Sequence, residues 1–402
     1  MNRFRIERHQ HAVGHGFFHT SSVNADDPKR PQPFHYVYDC GSKKRQALLV
    51  PAINSYIATL GEDPIDLLVL SHFHSDHTNG LDELLKWKKV KTAIIPYVSN
   101  DERLLLIGQL LAKPGSRFDE IQMAANPRRW LLSRGVANVI TIKAGDGDVQ
   151  SQFPNDSSPA QAGPEGTWDL RIGSDSVSDL KEGRRVSHGT PVIVKSSETT
   201  VLDFRFFCWN ADETAGRFHE QWEKHGEQPL DGVIKDAVLL SLLRDKRKVL
   251  VDCYARVHKE GLNWSTLCLR AEPCVGRHAG VSVTMPSPLV QTFPWLECSL
   301  GWLGTGDLEL ADDRISKDFI KHYSKPRRVF SLSLPHHGSK RNFDPVLLRE
   351  FRPAITFVTC PNASKHHPDP EVVRIVNQMG TKFHRVDESP ANDLHESVVF
   401  WV

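Results

Sequence analysis

The chain has 402 residues, with 50 Lys and Arg against 49 Asp and Glu and a net charge of +1 when His is neutral, so no global field points to nucleic acid or a membrane surface. Its 39% hydrophobic and 25% charged content is that of an ordinary globular protein, long enough for one large domain with an insertion or for two domains. Seven widely spaced cysteines without a CxxC argue against a disulfide framework and a cysteine-based zinc site, and the absence of a secretory leader or a membrane-length apolar run makes a reducing cytoplasm the expected compartment.

Phe4 to Gly16 holds a short strand ending in a Gly-rich turn, and Phe34 to Tyr38 alternates like a second strand, closing on Asp39-Cys40-Gly41. A helix is expected through Gln46 to Leu60. Ile65 to Leu70 (IDLLVL) is a continuous apolar run, the signature of a buried strand. A polar loop and a helix from about Gly80 to Trp87 follow. Next come a strand at Lys91 to Tyr97, helices over 101–113 and 118–134, and a strand at Val139 to Ile142. Strands alternating with helices predict an α/β layered domain whose first half occupies 1–150.

Residues 151–190 are rich in Ser, Pro, Gly and Asp and read as a flexible loop, with disorder expected at 151–166. Strands at 191–196 and 200–208 and a helical pattern over 211–258 complete an insertion spanning 151–260. Helix 231–245 in it has enough apolar residues to pack on the domain or on a protein partner. A further irregular stretch covers 271–294, and the α/β rhythm returns from 296 to Val402, so 261–402 forms the second half of the layered domain.

The chemistry concentrates at Ser71 to Gly80, SHFHSDHTNG. His72, His74, Asp76 and His77 place four ligand-type side chains within six residues, directly after the buried strand. On a tight loop the alternating His72 and His74 can face one metal ion while Asp76 and His77 turn toward a second. Imidazole with carboxylate suits zinc or a similar divalent ion and leaves positions open for water. A bridging group is needed, and Asp307 fits: GWLGTGD ends a strand on a Gly-flanked Asp, although the same pattern describes an ordinary turn. His336 and His337, in SLSLPHHGSK, stand in tandem at the end of another apolar strand and offer a further ligand.

HxHxDH, then TGD, then HHGS is an order that resembles the metallo-β-lactamase fold, and the branch it is most similar to is the ComEC-like competence domain, tied to DNA uptake. AVGHGFFHTS (12–21) resembles that branch's opening strand-turn, with His15 and Phe17 in place of Gln and Asp; YVYDCGS (36–42) and HHPDPEVVRIV (366–376) resemble two further segments. The resemblance covers about 1–90 and 296–402, with NWSTLCLR (263–270) as a weaker link. It implies an αββα sandwich carrying the central insertion, and a binuclear hydrolase that holds two Zn2+ or Mn2+ ions and attacks with a metal-bridging hydroxide. The implied first site is His72, His74 and Asp307. The implied second site is Asp76, His77, Asp307 and His337, with His337 preferred to His336 as the ligand and the other facing the substrate. Asp39 is expected behind the metal loop, orienting a ligand histidine, as are His15 and His367. Many relatives carry one more histidine ligand, for which His188, His258 and His278 are the candidates.

Two electrophiles remain open, phosphorus and carbonyl. Ser339, Lys340 and Arg341 follow HHG and offer a cradle for a phosphodiester, with Asp76, His336 and Lys340 as the catalytic candidates and His336 as proton donor. Basic clusters at KWKKVK (86–91) and KPRR (325–328) can extend a groove for a nucleic-acid backbone, or be solvated faces. A phosphodiesterase or nuclease is therefore the first expectation. A hydrolase of a small ester, lactone or amide is the second, and a metal-stabilised binding module without turnover is the third.

Overall fold

The computed structural model describes residues 2–26, 32–145, 168–177, 184–230, 232–259, 264–274, 279–284, 291–293, 300–323 and 329–402, with the backbone alone over 279–293. Residues 151–166, KPRR and His278 lie outside them.

The strands in chain order are β1 (Arg3–Gln10), β2 (Gly16–Ala25), β3 (Phe34–Ser42), β4 (Ile65–Val69), β5 (Val90–Pro96), β6 (Asn138–Lys143), β7 (Trp168–Ile172), β8 (Asp175–Ser176), β9 (Arg185–Ser187), β10 (Val192–Ser196), β11 (Thr199–Trp209), β12 (Thr266–Pro273), β13 (Ala279–Thr284), β14 (Gln291–Phe293), β15 (Trp302–Gly304), β16 (Ser331–Ser333), β17 (Ile355–Thr359), β18 (Lys382–Val386) and β19 (Leu394–Trp401). Among the described residues they form two sheets. One runs β14-β13-β19-β1-β2-β3-β4-β5-β6-β9 and the other β18-β17-β16-β15-β12-β11-β10-β7-β8.

The helices are α1 (Val50–Leu60), α2 (Ser75–Thr78), α3 (Leu81–Trp87), α4 (Asn100–Ala112), α5 (Phe118–Ala125), α6 (Pro127–Leu132), α7 (Asp212–Lys224), α8 (Asp236–Asp245), α9 (Arg247–Lys259), α10 (Asp313–His322), α11 (Val346–Phe351) and α12 (Pro370–Gln378). None is long and apolar enough to cross a membrane. The six described cysteines are free thiols.

Burial explains the layers. The sheets face each other across one apolar core that includes Phe4, Tyr36, Tyr38, Leu67, Phe206, Trp302 and Phe357. The other face of the first sheet is covered where Ile53, Tyr56, Leu84 and Trp130 of α1, α3 and α6 meet Val37, Leu68 and Ile95. The other face of the second is covered where Ile315, Phe319, Leu347 and Val376 of α10 to α12 meet Phe207, Leu303 and Leu332. This is the αββα sandwich. β4 is buried along its whole length because it lies parallel between β3 and β5 with both faces covered. β1 instead alternates, burying Phe4, Ile6 and Arg8 and showing its other face to solvent.

Three expectations are corrected. The helix expected over 118–134 breaks at Asn126, because Pro127 has no N–H to give and disfavours helical geometry in the residue before it; Asn126 caps α6 by accepting from Arg129 N at 3.1 Å. The stretch 271–294, expected to be irregular, contributes β13 and β14, which extend the first sheet from β19. The loop expected to run to residue 190 ends earlier, since β7 to β9 form within 168–187.

Residues 168–209 also supply β7, β8, β10 and β11 to the second sheet, so much of the stretch read as an insertion belongs to the sandwich itself. The later helices α7, α8 and α9 pack with α4 and α5 around a separate cluster that includes Leu104, Phe218, Trp222, Leu239 and Leu250. α8 buries Leu239 and Leu242 there and leaves Val238 and Leu240 exposed.

Candidate metal centre

The β4 strand ends at Val69, and the chain turns at once into the HxHxDH loop, whose second half is the single helical turn α2. Two features hold this loop. The first is Asp39, fully buried within β3, three residues before its end, with a left-handed backbone (φ 59°). Its carboxylate accepts from Ser71 N at 2.7 Å and Ser71 Oγ at 2.6 Å, and lies 2.8 Å from His77 Nδ1. An Nδ1–H on His77 donates to that oxygen, which turns Nε2 away from Asp39. The second is close backbone contact: a Cβ on Gly41 would lie 2.4 Å from the carbonyl carbon of Asp76 and from His77 N, so only glycine lets α2 settle on β3.

The opposite wall comes from the second sheet. Asp307 follows β15 and directs its two oxygens to different histidines, Oδ2 to His72 Nε2 at 3.4 Å and Oδ1 to His77 Nε2 at 3.6 Å. Beyond β16, His336, His337 and Gly338 are three consecutive left-handed residues, with φ of 46°, 56° and 80°. Such backbone is costly for non-glycine residues. It splits the two histidines. His337 is buried and donates through Nδ1 to Thr359 O at 2.7 Å. His336 stands at the mouth with 41% of its side chain exposed, its Nδ1 2.9 Å from Asn342 Oδ1 and its Nε2 3.8 Å from Asp307.

The donors gather into overlapping groups whose ligand atoms lie within 4.8 Å of one another: His72, His74 and Asp307; His77, Asp307 and His337; and His15, Asp76 and His337. His74 Nε2, His77 Nε2 and His337 Nε2 are buried without a hydrogen-bond partner, a costly condition that a cation between them would relieve. Burial lowers His74 to about 3 and holds His337 well below its ordinary value, so both are neutral imidazoles, the form that binds metal. Burial opposes charge on His77 as well, yet Asp307 and Asp39 outweigh it and raise its pKa to about 9. Burial likewise works against the Asp307 carboxylate, but the rings of His336, His72 and His77 hold it well below the usual range. Unpartnered Nε2 atoms converge with carboxylates on the same points, so the donor set fits divalent ions of the zinc kind, a metal ion beside Asp307 taking the place of the proton on His77 Nε2.

Residues 34–127, which hold β3, β4 and the whole HxHxDH loop, match the family model described as the Metallo-beta-lactamase superfamily. Together with the two-sheet layering, this settles the architecture. The fold is that of the metallo-β-lactamase superfamily. Among solved structures the chain is similar to the metallo-beta-lactamase fold protein YhfI from Bacillus subtilis, at 9% identity and a TM-score of 0.36 over 97% of this chain and 99% of that one. It is also similar to a long form RNase Z from yeast, at 11% identity and a TM-score of 0.30 over 95% of this chain and 37% of that one. No curated protein matches.

Within this metallo-β-lactamase fold, several residues sit otherwise than the motifs suggest. His15, expected behind the ligands, stands among them: its Nε2 is 3.4 Å from Asp76 Oδ2 and its ring 4.3 Å from that of His337. His367 closes the rim, with its ring 5.5 Å from His336 and 6.0 Å from His15. Of the candidates for an additional ligand, His188 packs on Phe207 and meets the Cys208 backbone, and His258 stacks on Tyr254 of α9; neither joins the donor groups. Ser339 is buried in the turn, while Lys340 and Arg341 are exposed and bear on Glu371 and Glu309.

The cation against the donors is Lys43, whose Nζ lies 2.7 Å from His15 Nε2 and 3.9 Å from Asp76. Lys43 and Asn342 lie outside every motif, and Trp264, which packs edge-on to His74 at 4.7 Å, lies in the NWSTLCLR stretch with no local sign of a place at the metal loop.

Proposed function

We propose that this protein is a binuclear metal-dependent hydrolase acting on a phosphodiester, with a nucleic acid as the first candidate substrate. The observation that carries the reading is Asp307, with one oxygen facing each of two histidine groups. His72, His74 and Asp307 would hold one ion. Asp76, His77, Asp307 and His337, with His15 in reach, would hold the other. Zinc or manganese bound there supplies Lewis acidity and a water of lowered pKa.

The chain's own residues do the rest. Asp39 fixes the tautomer and direction of His77. Thr359 O does the same for His337. His336 stands at the mouth with its Nδ1–H donated to Asn342 Oδ1, which turns Nε2 to the site; as the imidazolium, with a second proton on Nε2, it would deliver that proton to a departing oxygen and return to the neutral ring. Lys43 adds positive charge at the rim on the side of Asp76, where an anionic substrate needs it. Lys340 and Arg341, exposed beside the turn, suit a longer phosphate backbone.

The test is turnover of single-stranded DNA, a simple phosphodiester and a simple lactone, with elemental analysis of the same protein. Metal content near two per chain with phosphodiester cleavage is expected. His337→Ala should lose rate, while Lys340→Ala should weaken polyanion binding and flatten its salt dependence. Lactone cleavage untouched by Lys340→Ala, with no phosphodiester cleavage, would establish a small-ester hydrolase instead. Bound metal without any turnover would leave a binding module.

A further inference from the structure

A second group of metal-ligand side chains lies on the ladder that joins the first and last strands, and it shares no residue with the centre above. β1 and β19 pair antiparallel with His9 directly opposite His395. Both project from the partly solvated face of the sheet, since the intervening positions Arg8 and Glu396 are buried as an ion pair on the other face. Cross-strand partners stand close enough for their side chains to meet, and the two imidazole rings are 3.8 Å apart. Asp393, just before β19, joins them: its Oδ2 is 2.6 Å from His9 Nε2 and 3.9 Å from His395 Nε2. Its Oδ1 accepts from Ala12 N at 2.5 Å, so the carboxylate is already oriented.

We propose that His9, Asp393 and His395 form a separate site for a divalent transition-metal ion, of the zinc, nickel or copper class, that clamps the two terminal strands together. The three donor atoms lie within 4.8 Å of one another. Two imidazoles and a carboxylate are a sufficient protein set for a four-coordinate ion with water in the last position. Imidazole-rich sites favour zinc, copper and nickel over magnesium or calcium. A fully buried His11 backs the site: its ring lies 3.6 Å from that of His9, and its own Nε2 is 2.9 Å from Thr20 Oγ1. Side-chain exposures of 25% for His9, 16% for Asp393 and 54% for His395 leave a path for an ion to enter.

The experiment is equilibrium dialysis of the full chain against Zn2+, comparing wild type with His395→Ala and Asp393→Asn. His395 is exposed, and Asn at 393 keeps an oxygen for Ala12 N, so both variants retain the fold, which circular dichroism checks. Wild type is expected to saturate with one more zinc than either variant. Zinc added beyond the amount that fills the variants should raise the melting temperature of wild type alone. Equal saturation of wild type and variants would overturn the proposal, as would a lost zinc with no effect on the wild-type melting curve.

Discussion

The loop after β4 and the turn after β16 do similar work by opposite means. Each ends a buried parallel strand, and each presents histidines to the same donor cluster. The first is held by partners: Asp39 receives Ser71 and His77, and two backbones meet at Gly41. The second is held in a backbone that most residues avoid, three left-handed positions in a row, with Thr359 and Asn342 tying its two rings down. Where hydrogen-bonding carboxylates are at hand, the ligands sit on ordinary geometry. Where they are not, neighbouring histidines can be sent in different directions only by strain that the surrounding packing sustains.

The comparison breaks most severely at Asp307, the residue that faces histidines of both segments. Asp307→Asn should remove the charge between the two histidine groups, lower metal content and cut turnover by about 100-fold or more, a loss of the size seen when one preorganised transition-state group is deleted. Elemental analysis alongside phosphodiester kinetics reads both. Next is Asp39→Asn, which cannot accept from Ser71 and His77 equally. Metal affinity should fall by about 10- to 100-fold, measured by competition with a chromophoric chelator, while the far-ultraviolet circular dichroism stays unchanged.

Gly338→Ala tests the strained turn. Its backbone has φ 80°, and an added Cβ would lie 2.8 Å from Pro368 Cβ. Stability should drop by about 1–3 kcal/mol in denaturant titration, with a loss of metal at the His337 side before the His72 side.

The smallest effect at the centre belongs to Glu102, which serves as a control. This carboxylate is buried at the start of α4 and accepts from Ser265 N at 2.7 Å and Ser265 Oγ at 2.8 Å. Burial raises its pKa from 4.5 to about 7, more than the Ser265 hydrogen bonds lower it. The folded state therefore binds the proton more tightly than the unfolded chain. This contribution to stability is full below about pH 4.5 and is lost as pH rises through 7, at most about 3 kcal/mol in all. Glu102→Gln should flatten that slope in chemical denaturation between pH 5 and 8 and leave metal content unchanged.

What the chain wrote locally could be read locally. The run of β4 and the four ligand-type residues that follow it lie within Ile65 to His77, where side-chain alternation and the end of an apolar strand carry the information. The layered α/β rhythm was legible for the same reason. The rest was not written locally: the family order of motifs pointed to Asp307 and His337, and the tertiary structure decided which side chains stand together. Asp307 and His337 stand more than 200 residues from His72, and no local pattern states that their loops meet. His15 becomes a neighbour of Asp76 because β2 and β3 pair so closely under α2. Pairing also decided 271–294: turn-rich composition predicted irregular chain, but β19 offered an edge, and ladder hydrogen bonds outweighed the weak strand propensity. Local propensities are worth tenths of a kcal/mol per residue, whereas burial of two facing sheets is worth far more. Long-range packing therefore settles which strands meet and which side chains share a cavity.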